Sequence, residues 1–313
     1  MSLPDTNLLI VITGPTATGK TRLAACVAAK CQGEVISADS RQVYRGMDIG
    51  TGKDLHDFMV DDMLVPYHLV DIVDPGYEYN VFEFQQDFIK ALKHIQKRKR
   101  QGILCGGTGL YIEAAIKGYA LQKVEPDPEL RENLQLLTNE ELANILAQFR
   151  PLHNTTDTND RERLIRAVEI ETYQKNKPAK KAGYPSFRPI IFGIHFERST
   201  IRQRITERLT RRLEAGMLDE INRLIDNGLK PEHLKFYGLE YRILTQYVTG
   251  EISYDEMFRT LNTAIHQFAK RQVTWFRRME RNGLSIRWID GHLPLEEKVN
   301  RVLESASAFS KQS

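Results

Sequence analysis

Gly14-Pro15-Thr16-Ala17-Thr18-Gly19-Lys20-Thr21 is a full G-x-x-x-x-G-K-[ST] phosphate loop, and its flanks decide the fold. The apolar run Leu8–Ile12 precedes it, and a helical pattern through Leu23, Ala24, Val27 and Ala28 follows. The loop therefore has the strand–turn–helix setting that its chemistry requires. In that setting backbone N–H groups crowd a phosphate chain, and the helix N-terminus adds partial positive charge. Lys20 adds a whole charge, and Thr21 offers a hydroxyl to Mg²⁺. The predicted architecture is α/β, a P-loop NTPase-like parallel sheet flanked by helices. Kinases, ATPases and transferases with a diphosphate leaving group all use such a cradle, so the reaction must be read from the groups that converge on it.

Working outward, Gly33-Glu34-Val35-Ile36-Ser37-Ala38-Asp39-Ser40 reads as a second parallel strand ending in a carboxylate. Ligands in open α/β sheets sit at the carboxyl ends of strands, so Asp39 points to the same side as the phosphate loop. It is the best candidate for chemistry, although a residue capping the next turn has the same signature. Arg41–Lys53 is a polar stretch in which Ile49-Gly50-Thr51-Gly52-Lys53 resembles a second phosphate loop with the wrong spacing and no helix after it. A surface loop is expected there. Tyr67–Val73 is predicted as a strand stopped by Asp74-Pro75-Gly76, and Asn80–Arg100 as a helix on Phe84, Phe88, Leu92 and Ile95. Its Lys97-Arg98-Lys99-Arg100 end is expected to be a solvated terminus that suits the macrodipole. Gly102–Gly109 is a further strand finishing in glycines, with the Thr108 hydroxyl at the mouth of the site.

Near Ala120 the pattern changes to charged and helical with proline punctuation, and strand character returns at Pro189–Phe196. The economical organisation is a core made of residues 1–119 and 188–313, interrupted by a small all-helical insertion domain at 120–187. An insertion on two connections could close over a ligand. The last third reads as helices at 201–214, 218–226, 239–248 and 253–279. Leu261, Ile265, Phe268, Trp275 or Phe276, and Met279 form the apolar stripe of the last one, and a final strand is expected at Ser285–Ile289.

A length of 313 residues with 41% hydrophobic content supports a real core, and disorder is excluded. The net charge of +3 is a small remainder of 44 basic and 41 acidic residues, so placement of charge matters more than its sum. Cys26, Cys31 and Cys105 show no metal-ligand spacing and read as free thiols. Met1–Asn7 has no basic n-region and no run approaches a membrane span, so a cytoplasmic protein is expected. Basic residues gather in Arg161, Arg163 and Arg166, in Arg202, Arg204, Arg208, Arg211 and Arg212, and in Lys270, Arg271, Arg277 and Arg278. Three such groups flanking a phosphate site favour an extended polyanion, and salt-sensitive RNA binding is predicted.

Several stretches together resemble the tRNA dimethylallyltransferases, also called tRNA isopentenylpyrophosphate transferases. They are Gly14–Thr21, Ile36–Tyr44, Gly46–Lys53, Gly106–Tyr111, Asn159–Glu169 and Ala269–Arg277, and the likeness spans residues 8–278. It implies transfer of a dimethylallyl group from dimethylallyl diphosphate to N6 of an adenine beside the anticodon. By the same resemblance the phosphate loop with Lys20 holds the diphosphate, and Thr21 carries Mg²⁺. Asp39 is then the base and Thr108 the residue that orients the acceptor. The resemblance places Asp39, Ser40, Arg41, Gln42, Thr108, Arg131, Glu162, Arg163, Leu164, Ile165 and Arg166 against tRNA, with the helix at 262–267 including His266 and Gln267. Lys270 and Arg271 join them from the basic clusters. Lys235 stands near where some relatives have a diphosphate-binding arginine, and His266 stands where the family commonly has arginine. A monomer is expected. The other readings are an adenylate isopentenyltransferase with a free nucleotide acceptor and a small-molecule kinase with Asp39 as base.

Overall fold

The computed structural model describes residues 6–152, 160–176 and 183–311. Contact clustering divides the chain into two compact units, Met1–Gly118 with Pro185–Ser313, and Tyr119–Tyr184.

In the larger unit the chain runs β1 (Leu8–Thr13), α1 (Lys20–Cys31), β2 (Gly33–Ser37), a 3₁₀ turn (Leu55–Phe58), β3 (Met59–Val60), β4 (Met63–Leu64) and β5 (Tyr67–His68). It continues through α2 (Val81–Lys97), β6 (Gln101–Gly106) and α3 (Gly109–Lys117). The smaller unit holds α4 (Pro128–Gln135), α5 (Asn139–Phe149) and α6 (Arg161–Asn176). The larger unit resumes with β7 (Arg188–His195), α7 (Arg198–Glu214), α8 (Met217–Asp226), α9 (Pro231–Leu234), α10 (Leu239–Val248), α11 (Tyr254–Arg281), β8 (Ile286–Asp290) and α12 (Leu295–Ser310).

The strands of the main sheet stand in the order β5-β2-β6-β1-β7-β8, and every pairing is parallel. Every residue of β1, β2 and β6 is buried, which is why these segments read as continuous apolar runs rather than alternating ones. The chain leaves β1 through α1 and enters β2 with a gap between the two that β6 later fills. Register then does the positioning: Thr13 pairs with Gly106 and Ser37 with Cys105. The phosphate loop, Asp39 and Thr108 therefore emerge side by side from the carboxyl ends of three adjacent parallel strands. One face of the sheet packs Leu8, Ile10, Ile12, Ile103 and Phe192 against Leu23, Val27, Val302 and Ala306. A second core joins α7, α8, α10 and α11 through Ile205, Leu209, Ile221, Leu244, Leu261 and Ile265.

The structure corrects several expectations. Only Tyr67–His68 of the 67–73 stretch is a strand, because Leu69 (φ 61°) and Asp71 (φ 55°) leave extended geometry. The turn lets Asp71 ion-pair with the Lys53 ammonium, which also donates to Asp48 Oδ1 and the Tyr44 carbonyl, each at 2.7 Å. The 46–53 segment is accordingly no surface loop, since Met47 is fully buried and Lys53 is 6% exposed. Its amides of Asp48, Ile49 and Gly50 donate at 2.8, 2.8 and 2.9 Å to the buried Glu220 carboxylate, which also accepts from Tyr241 Oη at 2.6 Å. The basic end of α2 is not simply solvated: Arg98 donates to the buried Glu34 carboxylate at 3.0 and 2.6 Å. A capping box between Asn80 and Glu83 starts that helix.

The helical unit closes around Leu134, Leu142, Leu146, Leu164, Ile165 and Val168. Asp127 caps α4 with Pro128 at its first turn, and a Thr138–Glu141 capping box opens α5. Inside it, Glu169 is 1% exposed and accepts from Arg131 Nε and Nη2 at 3.0 and 3.1 Å and from the Asp127 amide at 2.6 Å; Arg166 also pairs with it. Burial pushes this carboxyl up, but the hydrogen bonds from Arg131, Asp127 and Arg166 outweigh it and hold the pKa below its ordinary value.

Candidate active site around the phosphate loop

The loop turns through Ala17 (φ 64°) and Gly19 (φ 79°) before α1 begins at Lys20. Thr18 Oγ1 donates to the Pro15 carbonyl at 2.9 Å and closes the curve, and Lys20 Nζ reaches the same carbonyl at 3.4 Å. Burial lowers the pKa of Lys20; Asp39 opposes that shift, while Arg208 and Arg212 add to it. The site therefore gathers cations where a phosphate chain would lie. The half-buried Thr21 is the second residue of α1, and no acidic side chain stands in the helix's first turn. Among the described residues no group of three or more His, Cys, Asp or Glu could hold a metal ion. A cation here would have to share the Thr21 hydroxyl with oxygens of a bound phosphate and with water, the way Mg²⁺ is ordinarily taken at such loops.

Gln272 of α11 fastens the loop from outside the sheet. Its Oε1 accepts from Thr16 N and its Nε2 donates to the Gly107 carbonyl, both at 2.8 Å. A Cβ on residue 107 would come within 2.4 Å of Nε2, so this bridge needs glycine there. Sequence reasoning missed Gln272 because it lies within the apolar stripe of α11, between the buried Ile265, Ala269 and Phe276. A buried amide in that stripe was the available signal.

Beside the loop, β2 and β6 lock their ends together: Ala38 N donates to the Cys105 carbonyl at 2.7 Å, and Thr108 N to the Ala38 carbonyl at 3.3 Å. Thr108 Oγ1 accepts from Ser40 N at 3.1 Å. Asp39 Oδ1 accepts from Arg41 N at 2.9 Å, which fixes one oxygen of the carboxylate. Gln42 is occupied structurally, accepting from Ser37 Oγ at 3.2 Å and donating to the Gly52 carbonyl at 3.1 Å. The Cys105 thiol behind Lys20 is pushed up to about 12 by burial and stays protonated.

On α7, Arg204, Arg208 and Arg212 recur every four residues, and the first two reach the phosphate loop, although Arg204 also remains exposed. Arg204 Nε donates to the Ala17 carbonyl at 2.8 Å and Arg208 Nη1 to Thr16 Oγ1 at 3.3 Å, while Arg208 Nη2 pairs with Asp54 at 2.7 Å. The i, i+4, i+8 spacing could have revealed them. Lys235 ion-pairs with Glu251 at 2.6 Å, so its ammonium is directed there and not to the phosphate loop.

The remaining sequence-predicted residues divide by burial. Leu164 and Ile165 are core side chains of the helical unit, 1% and 2% exposed, and cannot present a face to RNA. Arg131 and Arg166 are tied to Glu169, Arg163 pairs with Asp160 at 3.2 Å, and Glu162 is exposed. His266 Nε2 lies 3.2 Å from the Arg202 carbonyl, whereas Gln267, Lys270 and Arg271 are exposed. Gln267 lines an open groove of about 830 Å³ with Arg242, Gln246, Arg259 and Thr263, between α10 and α11.

A profile of the IPP transferase family matches residues 42–279, and one for isopentenyl transferases matches residues 7–62. Among curated proteins, the chain is 51% identical over 309 residues to tRNA dimethylallyltransferase 2 of Bacteroides fragilis, covering 99% of this chain and 100% of that one. It is 54% identical over 291 residues to tRNA dimethylallyltransferase 1 of Parabacteroides distasonis, covering 93% and 95%. Among solved structures, the full-length tRNA isopentenylpyrophosphate transferase of Bacillus halodurans superposes with a TM-score of 0.70 at 31% identity, covering 98% of each chain. A eukaryotic dimethylallyltransferase acting on tRNA shares the fold at 24% identity, with a TM-score of 0.73 over 97% of this chain and 79% of its own.

Proposed function

This chain belongs to the tRNA dimethylallyltransferase family, and on that footing we propose that it moves a dimethylallyl group from dimethylallyl diphosphate to N6 of the adenine beside the anticodon, releasing diphosphate. The observation that carries this reading is the convergence of three separate strand ends. The phosphate loop after β1, Asp39 after β2 and Thr108 after β6 share the carboxyl-terminal end of the sheet.

The loop amides, Lys20 and Arg208 take the two phosphates and stabilise the charge that grows on the leaving group as the C–O bond breaks. Mg²⁺ held at Thr21 supplies further neutralisation of that charge when bound. The exocyclic nitrogen attacks the prenyl carbon and becomes cationic. Asp39 Oδ2 takes its proton, with Oδ1 held in place by the Arg41 amide. Thr108, accepting from Ser40 N, keeps its hydroxyl at the mouth of the site to position the base. No phosphoryl group moves. The adenine must leave its stack to enter, which costs a few kcal/mol and is easiest in a loop. The exposed Gln267, Lys270 and Arg271 and the groove beside them supply contacts to the rest of the RNA, as do the exposed Arg163 and Glu162 of the helical unit. A monomer in the cytoplasm, where its three buried cysteines stay reduced, belongs to the same proposal.

The test is incubation of the protein with Mg²⁺ and dimethylallyl diphosphate plus unmodified tRNA or AMP, and in a separate arm with Mg²⁺ and ATP, followed by mass spectrometry of the products. A prenylated adenosine from tRNA alone supports the reading. Prenylated AMP instead, or phosphate transfer from ATP without prenylation, would replace it.

A further inference from the structure

The cationic face of α7 ends in a group that the protein itself does not satisfy. Arg208 has partners within the chain, Asp54 and the Gly52 carbonyl at Nη2 and Thr16 Oγ1 at Nη1. Arg212, one turn further on, has buried Nε and Nη2 atoms with no hydrogen-bond partner among the described residues. Room for it is built into the chain. A Cβ on residue 52 would come within 1.7 Å of Arg212 Nη2 and 2.7 Å of Arg208 Nη2, so glycine at 52 admits two guanidinium groups together.

Burial lowers the pKa of Arg212 to about 10, and the neighbouring Arg208 adds to this; Asp54, Glu240 and Tyr241 oppose it. The guanidinium is still charged at neutral pH. A buried, unpaired cation beside another cation destabilises a fold unless an anion joins it. Arg208 Nη1 reaches Thr16 Oγ1 of the phosphate loop at 3.3 Å, and Arg212 Nη2 lies against the same Gly52 as Arg208 Nη2, so an anion held by that loop is one the two guanidinium groups can share. Planar guanidinium groups suit phosphate oxygens because two N–H donors match two acceptors.

We propose that Arg212 is a ligand of the donor's diphosphate, forming with Lys20 and Arg208 a set of three cations suited to two linked phosphates rather than one. This inference rests on the reading of the phosphate loop given above and adds a residue to it. Arg212 thereby selects for a diphosphate over a monophosphate ester and holds the leaving group after departure.

Calorimetric titration of inorganic diphosphate with Mg²⁺ into the wild-type protein, Arg212→Gln and Arg212→Lys tests it, alongside orthophosphate titrations, filter binding of tRNA and thermal melts. In Arg212→Gln, diphosphate affinity is expected to fall roughly 10- to 100-fold and orthophosphate affinity by less than about 3-fold. The melting temperature without ligand should hold or rise, because an uncompensated cation has been removed, and the gain on adding diphosphate should shrink. Arg212→Lys should recover part of the lost affinity. Unchanged diphosphate affinity in Arg212→Gln would overturn the proposal, as would a lower melting temperature with unchanged affinity, which marks a structural arginine. Loss of tRNA binding alone would assign the guanidinium to an RNA phosphate and overturn it too. A wild-type protein that takes up no diphosphate would overturn the site reading and this inference together.

Discussion

Replacing Gln272 by leucine separates a residue that merely fills the α11 stripe from one that shapes the phosphate loop. Leucine has nearly the same volume and suits the apolar neighbours Ala269 and Phe276, so little packing is lost. What disappears is the bridge from Thr16 N to the Gly107 carbonyl, two hydrogen bonds of 2.8 Å. Gly107 is buried, and its carbonyl left without a partner costs about 1–3 kcal/mol. Thr16 is half-buried and water can reach its amide, so its share is about 1 kcal/mol. Burying leucine in place of an amide returns about 1 kcal/mol, leaving a net loss of about 2 kcal/mol. Urea denaturation followed by tryptophan fluorescence measures it cleanly, because Trp275 and Trp288 are the only tryptophans and both lie in the larger unit. Gln272→Glu supplies the control: glutamate still accepts from Thr16 N but cannot donate to Gly107, and it adds a negative charge beside the phosphate site. Its stability should fall at least as much, by about 2 kcal/mol or more, because it strands the Gly107 carbonyl without leucine's apolar return, while diphosphate binding weakens on the order of tenfold or more. A leucine variant within about 0.5 kcal/mol of wild type, with unchanged diphosphate affinity, would refute the bridge as an organiser of the loop.

Asp39→Asn should cut kcat on the order of a hundredfold or more with diphosphate affinity retained, read by single-turnover prenylation of tRNA; unchanged turnover would remove Asp39 from proton transfer. Lys53→Met should destabilise the larger unit by about 3 kcal/mol in urea, since it strands Asp48, Asp71 and the Tyr44 carbonyl around a fully buried ammonium position; a loss below about 1 kcal/mol would mean water replaces the ion pairs. For Glu169 the folded pKa lies below the ordinary carboxylate value of about 4.3, so its contribution is fully present above that pH. It is lost as pH falls through the depressed folded pKa. Glu169→Gln should cost about 2 kcal/mol at pH 7, discounted because Arg131 and Arg166 are about one-third exposed, and should flatten the acid limb below about pH 4.3 in circular-dichroism melts. An acid limb unchanged by the substitution would place that linkage elsewhere.

What the sequence made legible was whatever a local pattern can carry. The all-buried runs of β1, β2 and β6 marked parallel strands, and the glycines with Lys20 marked the loop. The position of Asp39 just past a strand end then followed from sheet topology rather than from any contact. Tyr67–Val73 failed for a reason outside the segment. Its apolar residues satisfy a strand pattern, but the buried Lys53 draws Asp71 toward it and bends the backbone at Leu69 and Asp71. Gln272 and the inward arginines of α7 escaped because their partners lie far away in the chain: Thr16 for Gln272, Ala17 for Arg204 and Thr16 for Arg208. Periodicity tells which face of a helix is apolar, and a cation on the other face looks solvated until the fold brings a loop against it.

The two glycine-rich loops sharpen that point, because they use the same physics for opposite ends. Both aim consecutive backbone amides at an anion. In the 46–53 loop the anion is internal: Glu220, from α8, receives the amides of Asp48, Ile49 and Gly50 and the hydroxyl of Tyr241. Lys53, the counterpart of the phosphate-loop lysine in sequence, is likewise consumed by Asp48 and Asp71. In the 14–21 loop no carboxylate among the described residues takes that place, and the cations Lys20 and Arg208 reach the loop instead, at the Pro15 carbonyl and Thr16 Oγ1. A nest closed by its own glutamate is a structural clamp, and a nest ringed by cations is a binding site. Charge balance at the amides, which depends on a residue some 170 positions away, is therefore what separates the functional loop from its look-alike.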